Sequence, residues 1–548
     1  MKLHSYDINE RFNKSVAYFS MEFAIDQALK VYSGGLGFLA GSHMRSAYDL
    51  KQNMVGVGLL WSYGYYDQER HADRSLKAAY TRKFTYFLKE LDVHVTVKIN
   101  NQDVLVKALL LEPEVFGTAP IIFLTTDVAE NDYLSRTTLH KLYDGNESTR
   151  IAQEIVLGIG GTKVLEALNH SVDIYHMNEG HALPLVYELY AKHYQNMQEL
   201  RKHVVFTTHT PEAAGNEVHD INLLHNMGFF NGLSMETVRE ITGYKNEDNF
   251  SLTVGALRSA KIANGVSRIH GIVANEMWEN VDDRCEIIHI TNAQNKKYWT
   301  DKPLYRALDE HEEYELIARK KHLKKLLFDV VADQTGKIFD PEVLTIVWAR
   351  RFAEYKRPQL LKYDLERFDK MLRDTKRPVQ IIWAGKPYPT DEGAMNQFNE
   401  LIEISNYYPN IAVLIGYELS LSRLLKQGSD IWLNTPRITR EASGTSGMTA
   451  SMNASINCSV NDGWIPEFAK DNKNCFVLPT LDHNMPIAEQ DRLDNEHLMS
   501  ILEDKVIPTY YDKPKKWTKI MKNAMTDVET EFDSARMATQ YYNLMFNK

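Results

Sequence analysis

Short apolar runs alternate with longer amphipathic segments along most of this chain. The runs are rich in β-branched residues and bounded by turn residues, which is typical of buried parallel strands in βαβ units. They are Val16–Phe19, Met54–Leu60, Ile121–Leu124, Val172–His176, Val204–Thr207 and Cys285–Ile290, and then Val343–Ala349, Val379–Ala384, Ile411–Ile415 and Ile431–Leu433. The alternation predicts an α/β fold.

The amphipathic segments predict helices between these strands. They are Leu36–Leu50, Thr149–Ala167, Ala182–His193, Glu312–Leu327, Lys356–Leu372, Ala394–Ile404, Leu419–Lys426 and Lys515–Phe546. A polar helical region near 296–325 separates two sets of strands and indicates two doubly wound domains with a hinge there. Because ligands of such folds bind at the carboxyl ends of strands, we expect functional residues at the strand-to-helix turns.

Composition narrows the class of protein. The 548 residues are 44% apolar and 25% charged, as in globular proteins. A net charge of −10 disfavours nucleic-acid binding by bulk charge. Three cysteines make neither a disulfide framework nor a zinc pattern and fit a reducing compartment. Without a signal-peptide core or a long apolar run, we expect a cytoplasmic protein with no membrane association.

A glycine-rich segment, Tyr32–Gly37, opens a predicted helix. Glycines such as Gly34 and Gly35 let the backbone approach a ligand closely, and a helix N-terminus presents free N–H groups to an anion. The alternative is a tight turn without a ligand.

Four cations follow the apolar run Leu344–Trp348. Arg350, Arg351, Lys356 and Arg357 lie at a strand end and at the start of a predicted helix. Arginine forks and a lysine point charge suit a phosphate. The alternative is a solvated charged surface, which is the usual role of such clusters.

A third candidate, Arg440–Thr449, follows the strand Ile431–Leu433. Glu441 precedes the turn residues Ser443, Gly444 and Thr445. A carboxylate beside such a turn suits a sugar hydroxyl next to a phosphate. A capped helix after a flexible loop explains the pattern equally well, and the Gly-Lys-Ser/Thr of a phosphate loop is absent.

Histidines also lie near strand ends. His176, Glu179 and His181 have a loosely metal-like spacing, and His209 follows another strand. Without a further ligand set we expect hydrogen-bonding polar residues and no metal ion. Gly158–Gly161 lies inside a helical pattern, so it predicts close packing and not a dinucleotide loop.

Taken in order, these segments resemble the glycogen/starch (α-glucan) phosphorylases of glycosyltransferase family 35, most closely the short microbial branch. The resemblance runs from about Val16 to the C-terminus. The segments that carry it are Tyr18–Phe23, Tyr32–Ala40, Gly56–Leu60, Arg150–Ile155, Asn178–His181, Thr207–Pro211, Arg350–Arg357, Asp430–Pro436 and Glu441–Met448.

The resemblance implies a GT-B fold, with two Rossmann-like domains and an active-site cleft between them. We therefore expect an N-terminal domain at 1–305, a C-terminal donor-side domain at 306–505, and closing helices at 506–548 that cross back to the N-terminal domain. The family moves a glucosyl unit between an α-1,4-glucan and phosphate with retention. Glucan and sugar-phosphate partners, and a homodimer, are implied in the same way.

Site residues follow from the resemblance one by one. Arg351 and Lys356 match cations that hold the substrate phosphate, Arg350 stands where another cation is common, and Gly34 and Gly35 match the loop beside that phosphate. The residues expected on the sugar are His209 near the anomeric carbon, Asn292 and Glu441 at hydroxyls, Ser443, Gly444 and Thr445 along the pocket, and Asn178, Glu179 and His181 on the acceptor side.

One departure from the family pattern matters most. Thr449 stands where the family has the lysine that forms an imine with pyridoxal 5′-phosphate. Threonine has no amine, so we expect no covalently bound cofactor. Ala293 and Ser42 also replace the family's usual glycine and aspartate.

Three interpretations of the departure remain open. In the first, the protein is a retaining glucosyltransferase without covalent cofactor that uses glucose 1-phosphate or a nucleotide sugar. In the second, it is a phosphorylase that holds pyridoxal phosphate noncovalently or through another lysine. In the third, it is a non-catalytic glycan-binding homologue.

Overall fold

The computed structural model describes residues 2–212, 215–245 and 247–548. The chain forms two compact units. Unit 1 consists of Met1–Tyr65, Tyr80–Asn292 and Ser534–Lys548, and unit 2 consists of Tyr66–Ala79 and Ala293–Asp533.

The sequence predicts domain boundaries after residues 305 and 505. In the structure, the chain passes from unit 1 to unit 2 after residue 292 and returns to unit 1 after residue 533. The reason is apolar packing. Leu304 and Leu308 belong to the same buried cluster as the strands of unit 2. Met521 and Met525, far beyond 505, join that cluster too.

The strands are numbered in chain order. They are β1 (Val16–Phe19), β2 (Met54–Leu59), β3 (Asp67–Arg70), β4 (Leu76–Ala79), β5 (Lys89–Ile99), β6 (Gln102–Leu111), β7 (Ile121–Thr125), β8 (Ile174–Asn178), β9 (Val204–Thr207), β10 (Val218–Asp220), β11 (Asn249–Ser251), β12 (Ile262–Gly265), β13 (Glu286–His289), β14 (Leu344–Ala349), β15 (Val379–Ala384), β16 (Ile411–Leu414), β17 (Ile431–Asn434), β18 (Ile456–Ser459) and β19 (Cys475–Val477).

The α-helices are numbered in the same way. They are α1 (Gly35–Asp49), α2 (Pro113–Phe116), α3 (Tyr133–Thr137), α4 (Glu147–Ile155), α5 (Gly161–Ala167), α6 (Pro184–Leu189), α7 (Met197–Arg201), α8 (Ile221–Met227), α9 (Met235–Thr242), α10 (Leu252–Ser259), α11 (Arg268–Met277), α12 (Lys296–Trp299), α13 (Lys302–Asp309), α14 (Glu313–Thr335), α15 (Leu365–Leu372), α16 (Glu392–Ser405), α17 (Leu419–Gly428), α18 (Thr445–Ser451), α19 (Ile465–Phe468), α20 (Ile487–Ile501), α21 (Ile507–Asp512), α22 (Pro514–Glu531) and α23 (Ser534–Tyr541).

The sheet of unit 1 has the order β13-β12-β9-β8-β1-β2-β7-β6-β5. It is parallel from β13 to β7 and antiparallel at β6 and β5. The strands β2, β7, β6 and β5 extend the sheet on one side of β1, and β8, β9, β12 and β13 extend it on the other side. The carboxyl ends of β1 and β8 therefore flank a topological switch point, where α/β folds bind ligands.

The sheet of unit 2 is parallel throughout, with the order β16-β15-β14-β17-β18-β19. When the six strands of this sheet are numbered from one in chain order, their spatial order is 3-2-1-4-5-6, which is that of a doubly wound Rossmann sheet. Every residue of β14, β15, β16 and β17 is buried, as parallel strands covered on both faces require. The α/β prediction is confirmed, and the switch point lies between β14 and β17.

One predicted helix is wrong. The segment predicted as Lys356–Leu372 contains two short 3₁₀ turns before α15 starts at Leu365. Arg357 adopts a left-handed backbone with φ +50°, and Pro358 follows it. A proline disfavours helical backbone at the residue before it, so the helix cannot begin there.

The predicted closing helix Lys515–Phe546 is interrupted near Phe532. Its first part, α22, belongs to unit 2, and Ser534–Lys548 belongs to unit 1. In unit 1, α23 packs on α1 through a hydrogen bond of 2.5 Å between Ser534 Oγ and Ser46 Oγ.

The glycine run inside the first long helix packs closely, as predicted. A Cβ added at Gly158 would lie 2.6 Å from the backbone nitrogen of Leu185. A π-helical turn, Val156–Gly160, connects α4 and α5 at this contact. None of the helices in the described part of the chain has the length and apolar character needed to cross a membrane.

A buried ion pair fixes α14 to the sheet of unit 2. Lys324 Nζ donates to Asp430 Oδ2 and, at 2.8 Å, to the carbonyl of Val343, and its side chain is 1% exposed. Asp430 also accepts the backbone N–H of Thr345 at 2.9 Å. The pair therefore holds the starts of β14 and β17 in register, and both strands lead into the candidate site.

We expect Lys324→Met to lower the free energy of unfolding by about 3–5 kcal/mol, because it leaves the Asp430 carboxylate buried and unpaired. The matched control is Lys321→Met on the same helix. Its partner Glu342 is 64% exposed, and the change should cost about 1 kcal/mol or less. Urea unfolding measures both variants, and equal losses would contradict the assignment.

Candidate active site

The candidate residues form two groups, one at the carboxyl edge of each main sheet. The group of unit 2 contains the cations after β14 and the turn after β17. The group of unit 1 contains the glycine-rich loop and the ends of β1, β8 and β9.

The centre of the unit 2 group is one carboxylate that two cations share. Lys356 Nζ donates to both oxygens of Glu441, at 3.2 and 3.0 Å, and Arg350 Nη1 lies 3.0 Å from Glu441 Oε2. The three side chains are between 5% and 11% exposed. Arg351, which follows β14 directly after Arg350, is exposed.

Contacts to the backbone fix the positions of Arg350 and Glu441. Gly385 has φ +147°, and a Cβ there would lie 1.8 Å from the carbonyl oxygen of Arg350, so only glycine fits. Asp462 accepts the backbone N–H of Glu441 at 2.9 Å and that of Gly463 at 2.8 Å. Asp462 thereby fixes the backbone of Glu441.

The protonation of these acids follows from their surroundings. Burial alone would raise the pKa of Glu441, but the charges of Arg350 and Lys356 outweigh burial and hold that pKa below its usual value. Burial raises the pKa of Asp462 to about 7, and the nearby Glu441 charge adds to the rise. The site therefore contains an ionised Glu441.

Arg357 has a structural role. Its guanidinium donates to the carbonyls of Thr435 and Pro436 and pairs with Asp491 at 3.0 Å and Asp494 at 2.7 Å. It thereby joins the loop after β14 to the loop after β17. The interpretation of all four cations as phosphate ligands is wrong for this one.

The turn after Glu441 offers polar atoms without partners. The hydroxyls of Ser443 and Ser446 are buried and make no hydrogen bond within the described chain. Gly444 between them has φ +87°, and α18 begins at Thr445. Two unsatisfied hydroxyls beside a shared carboxylate suit a polyhydroxylated ligand.

Thr449 lies on α18 and is 1% exposed. Its hydroxyl donates to the carbonyl of Ser446 at 3.0 Å. Its backbone carbonyl accepts from Asn453 Nδ2 at 2.8 Å, and the same amide group donates to the carbonyl of Trp299 at 3.0 Å. This side chain offers no amine for an imine.

In unit 1, the carboxylate of Glu22 organises the glycine-rich loop. It accepts the backbone N–H groups of Ser33 at 2.6 Å and Gly34 at 3.2 Å, and the hydroxyl of Tyr143 at 2.6 Å. A Cβ at Gly37 would lie 2.9 Å from a Glu22 oxygen, so glycine makes room for the carboxylate. Glu22 therefore takes up loop N–H groups that would otherwise bind an anion.

Gly34 and Gly35 nevertheless keep space around them. A Cβ at either position would meet no atom within 4 Å. The helix α1 begins at Gly35 without a side-chain cap. An open, uncapped N-terminus of a 15-residue helix is suited to a negatively charged group.

A hydrogen-bonded row connects this loop to His209. Nε2 of His209 lies 2.8 Å from Asn178 Oδ1, Asn178 Nδ2 donates to Ser20 Oγ at 3.1 Å, and Ser20 Oγ donates to the carbonyl of Glu22 at 3.0 Å. The row follows the carboxyl ends of β9, β8 and β1. Burial lowers the pKa of His209 to about 3, helped by the nearby His270, so the imidazole is neutral.

Glu179 is held in a strained backbone with φ +72°. Its carboxylate accepts the backbone N–H of His209 and, at 3.2 Å, the hydroxyl of Thr210. Burial raises the pKa of Glu179. His176 instead lies 2.7 Å from Thr207 Oγ1, so Glu179 and His176 act as hydrogen-bonding groups.

Two further polar atoms of unit 1 have no partner. Asn292 is 3% exposed, and its Oδ1 makes no hydrogen bond within the described residues. Nδ1 of His181 is also buried without one. Buried polar atoms of this kind mark places where a ligand or water completes the hydrogen bonding.

Comparison with known proteins identifies the family. A model of the carbohydrate phosphorylases matches residues 286–491. The maltodextrin phosphorylase of Thermococcus litoralis is 30% identical over 98% of this chain and 71% of its own length. The glycogen phosphorylase of Aquifex aeolicus is 30% identical over 100% of this chain and 88% of its own length. The chain belongs to the α-glucan phosphorylase family.

An uncharacterized protein of Methanocaldococcus jannaschii is similar as well. It is 48% identical over 97% of this chain and 100% of its own length. The part of this chain that matches the carbohydrate phosphorylase model, residues 286–491, includes both the loop Arg350–Arg357 and Glu441.

Sequence reasoning missed two positioning residues of this phosphorylase-family chain. Glu22 was quoted only as part of a segment, and Asp462 was not singled out. The sequence did contain a signal for Glu22. A carboxylate that follows a predicted strand needs hydrogen-bond donors once it is buried, and the glycine-rich loop that comes next along the chain offers backbone N–H groups. Asp462, in Asn461-Asp462-Gly463, reads as an ordinary turn.

We expect Glu441→Gln to lower the free energy of unfolding at neutral pH by about 3 kcal/mol, because Arg350 and Lys356 stay buried without a counter-charge. The pKa of Glu441 lies lower in the folded protein than its ordinary 4.5. Its stabilising effect is therefore complete above pH 4.5 and disappears as the pH falls through the folded pKa.

Urea unfolding between pH 3 and 7 tests this. The difference between wild type and Glu441→Gln should narrow as the pH falls below 4.5. The control Glu354→Gln removes a carboxylate that is 76% exposed beside Arg437 and should change little. A difference that does not depend on pH would contradict the ionised Glu441.

Proposed function

We propose that this protein is a retaining glucosyltransferase that moves glucosyl units between a phosphate-bearing donor and an α-glucan acceptor. The observation that carries the proposal is the buried carboxylate of Glu441, shared by Lys356 and Arg350 at the switch point of unit 2. Cations in a site with little water stabilise a leaving phosphate far more than they would in bulk solvent.

The proposed step breaks the bond between the anomeric carbon and the donor phosphate oxygen. A bond from the acceptor hydroxyl oxygen to the same face of that carbon forms, and the acceptor proton moves to the leaving phosphate. Arg351 and Lys356 would stabilise the charge that develops on this phosphate, with Arg350 beside them. Glu441, with Ser443, Gly444 and Thr445, would hold the sugar hydroxyls.

The residues of unit 1 are proposed to serve the same reaction. A neutral His209, whose one N–H is donated to Asn178 Oδ1, would accept a hydrogen bond near the anomeric region through Nδ1 and would not act as an acid. The unpartnered Oδ1 of Asn292 would accept from a sugar hydroxyl, and Gly34 and Gly35 would face the phosphate. Asn178, Glu179 and His181 would belong to the acceptor side.

Pyridoxal phosphate is the family cofactor, and Thr449 does not fit its covalent attachment. We propose that Thr449 stands in the place of the family's lysine and that transfer proceeds without a covalently bound cofactor. A donor with a second phosphate group, such as a nucleotide sugar, would then supply the charge that the cofactor phosphate supplies elsewhere. Glucose 1-phosphate is the simpler alternative donor.

The second candidate is a phosphorylase that holds the cofactor noncovalently or through another lysine. Lys426 favours it. This side chain is 1% exposed, its Nζ lies 3.9 Å from the centre of the Trp299 ring, and burial lowers its pKa well below 10.5. A buried lysine with a lowered pKa is the kind of amine that forms imines.

A donor screen tests the proposal. Purified protein is incubated with maltodextrins and glucose 1-phosphate, UDP-glucose or ADP-glucose, with and without added pyridoxal phosphate, and released phosphate or nucleotide is measured. We expect turnover without the cofactor. Turnover of glucose 1-phosphate only after its addition would support the second candidate, and no turnover with any donor beside measurable maltodextrin binding would favour a non-catalytic homologue.

The screen needs two site variants and one control. Arg351→Ala and Lys356→Ala should each lower turnover by at least about 100-fold, since each removes charge that stabilises the leaving phosphate. Arg373→Ala is the control, because that arginine lies at the end of α15 and is 68% exposed. Retained activity in both site variants would contradict the phosphate assignment.

A further inference from the structure

A second cluster of ionisable groups lies in unit 1, between α4 and β10. Glu154, Glu217 and His219 bring one potential ligand atom each to within 4.8 Å of one another. The role proposed above for this family member uses none of the three.

The local structure aims these side chains at a common point. Glu147, Arg150 and Glu154 are spaced by three and four residues on α4, so they share one face of the helix. Glu217 and His219 are two residues apart along an extended segment, so they share one face of it. Arg150 Nε, 3.7 Å from Glu217 Oε2, shows that the two faces meet.

Glu154 is the strongest sign of a missing partner. The residue is 1% exposed, and its Oε2 makes no hydrogen bond within the described chain. A buried carboxylate oxygen directed into a cluster of ligand atoms is costly unless a proton or a cation completes it.

His219 is oriented as metal-binding histidines are. Its Nδ1 lies 2.7 Å from Glu147 Oε1, and its Nε2 lies 3.2 Å from Glu217 Oε2. The Glu147 carboxylate on Nδ1 holds the ring, and a metal ion bound at Nε2 would take the place of the proton that Nε2 shares with Glu217. The side chain is 1% exposed, which keeps the ring from turning away.

The ligand types and the size of the cluster favour a divalent transition-metal ion. Three carboxylates, Glu147, Glu154 and Glu217, lie around the guanidinium of Arg150 and the imidazole of His219. Two carboxylates and one imidazole are a ligand set for Zn²⁺ and similar transition metals, at about 2.0–2.2 Å each. Ligand atoms around one such ion lie at most about 4.4 Å apart, so shifts of less than about 1 Å close the site.

We propose that Glu154, Glu217 and His219 bind one divalent transition-metal ion of the Zn²⁺ type, with Glu147 holding the imidazole in place. Water would complete the coordination. The ion would tie α4 to β10. This site departs from the expectation of no metal, which considered only histidines close together in the sequence.

The experiment uses full-length protein stripped of metal with a chelator. Zinc chloride is added, and binding is measured by equilibrium dialysis with elemental analysis and by the shift in melting temperature. We expect one Zn²⁺ per chain and a higher melting temperature on binding. Glu154→Gln and His219→Gln should each weaken this binding by more than about 100-fold, and Glu147→Gln by about 10- to 100-fold.

Two comparisons separate the metal site from a merely structural cluster. Glu154→Gln keeps the size of the buried side chain and removes a carboxylate ligand, so the metal-free variant should melt no lower than metal-free wild type while losing the zinc-dependent rise. The control His193→Gln disrupts an exposed histidine 2.6 Å from Glu166 and should bind zinc like wild type. No stoichiometric zinc in wild type, or equal binding in Glu154→Gln, would overturn the proposal.

Discussion

The candidate site depends on one carboxylate that keeps two cations folded away from water. Lys356 and Arg350 are almost fully buried, and buried cations are stable only with a partner close by. Glu441 is that partner for both. The single negative charge of Glu441 is divided between two cations, so each cation can still bind a second anion. The carboxylate oxygens also keep lone pairs that can accept a hydrogen bond from a hydroxyl. A sugar phosphate offers both groups at once.

The remainder of unit 2 places this carboxylate. The Rossmann strand order brings the loops after β14 and β17 side by side, and Arg357 joins them through Thr435 and Pro436. Asp462 holds the backbone of Glu441 from the next loop. Unit 1 uses the same device, since Glu22 at the end of β1 holds the glycine-rich loop by its N–H groups. In both sheets a carboxylate at the switch point orders a loop that we propose to bind the substrate.

The sequence was most informative where strands are both buried and apolar. The parallel strands β14 and β15 are mostly apolar, and their positions were predicted to within one residue, whereas the equally buried β12 and β18, which contain asparagine, were not predicted. The hairpin of β5 and β6 was missed because its outer face is charged, although Asn100 and Asn101, both with positive φ, mark a tight turn. The hydrogen-bond partners of the carboxylates were harder to predict, because Lys356 and Glu441 are 85 residues apart in the sequence and Glu22 and Tyr143 are 121 residues apart. Only the fold brings such pairs together, whereas the family resemblance named the individual residues one by one.

A crystal structure of the protein with glucose 1-phosphate tests the central claim most directly. We predict that phosphate oxygens lie within about 3 Å of Lys356 Nζ and of the Arg351 guanidinium, with a sugar hydroxyl hydrogen-bonded to Glu441. A saturated complex whose phosphate lies away from both cations, with Glu441 contacting only Lys356 and Arg350, would contradict the account.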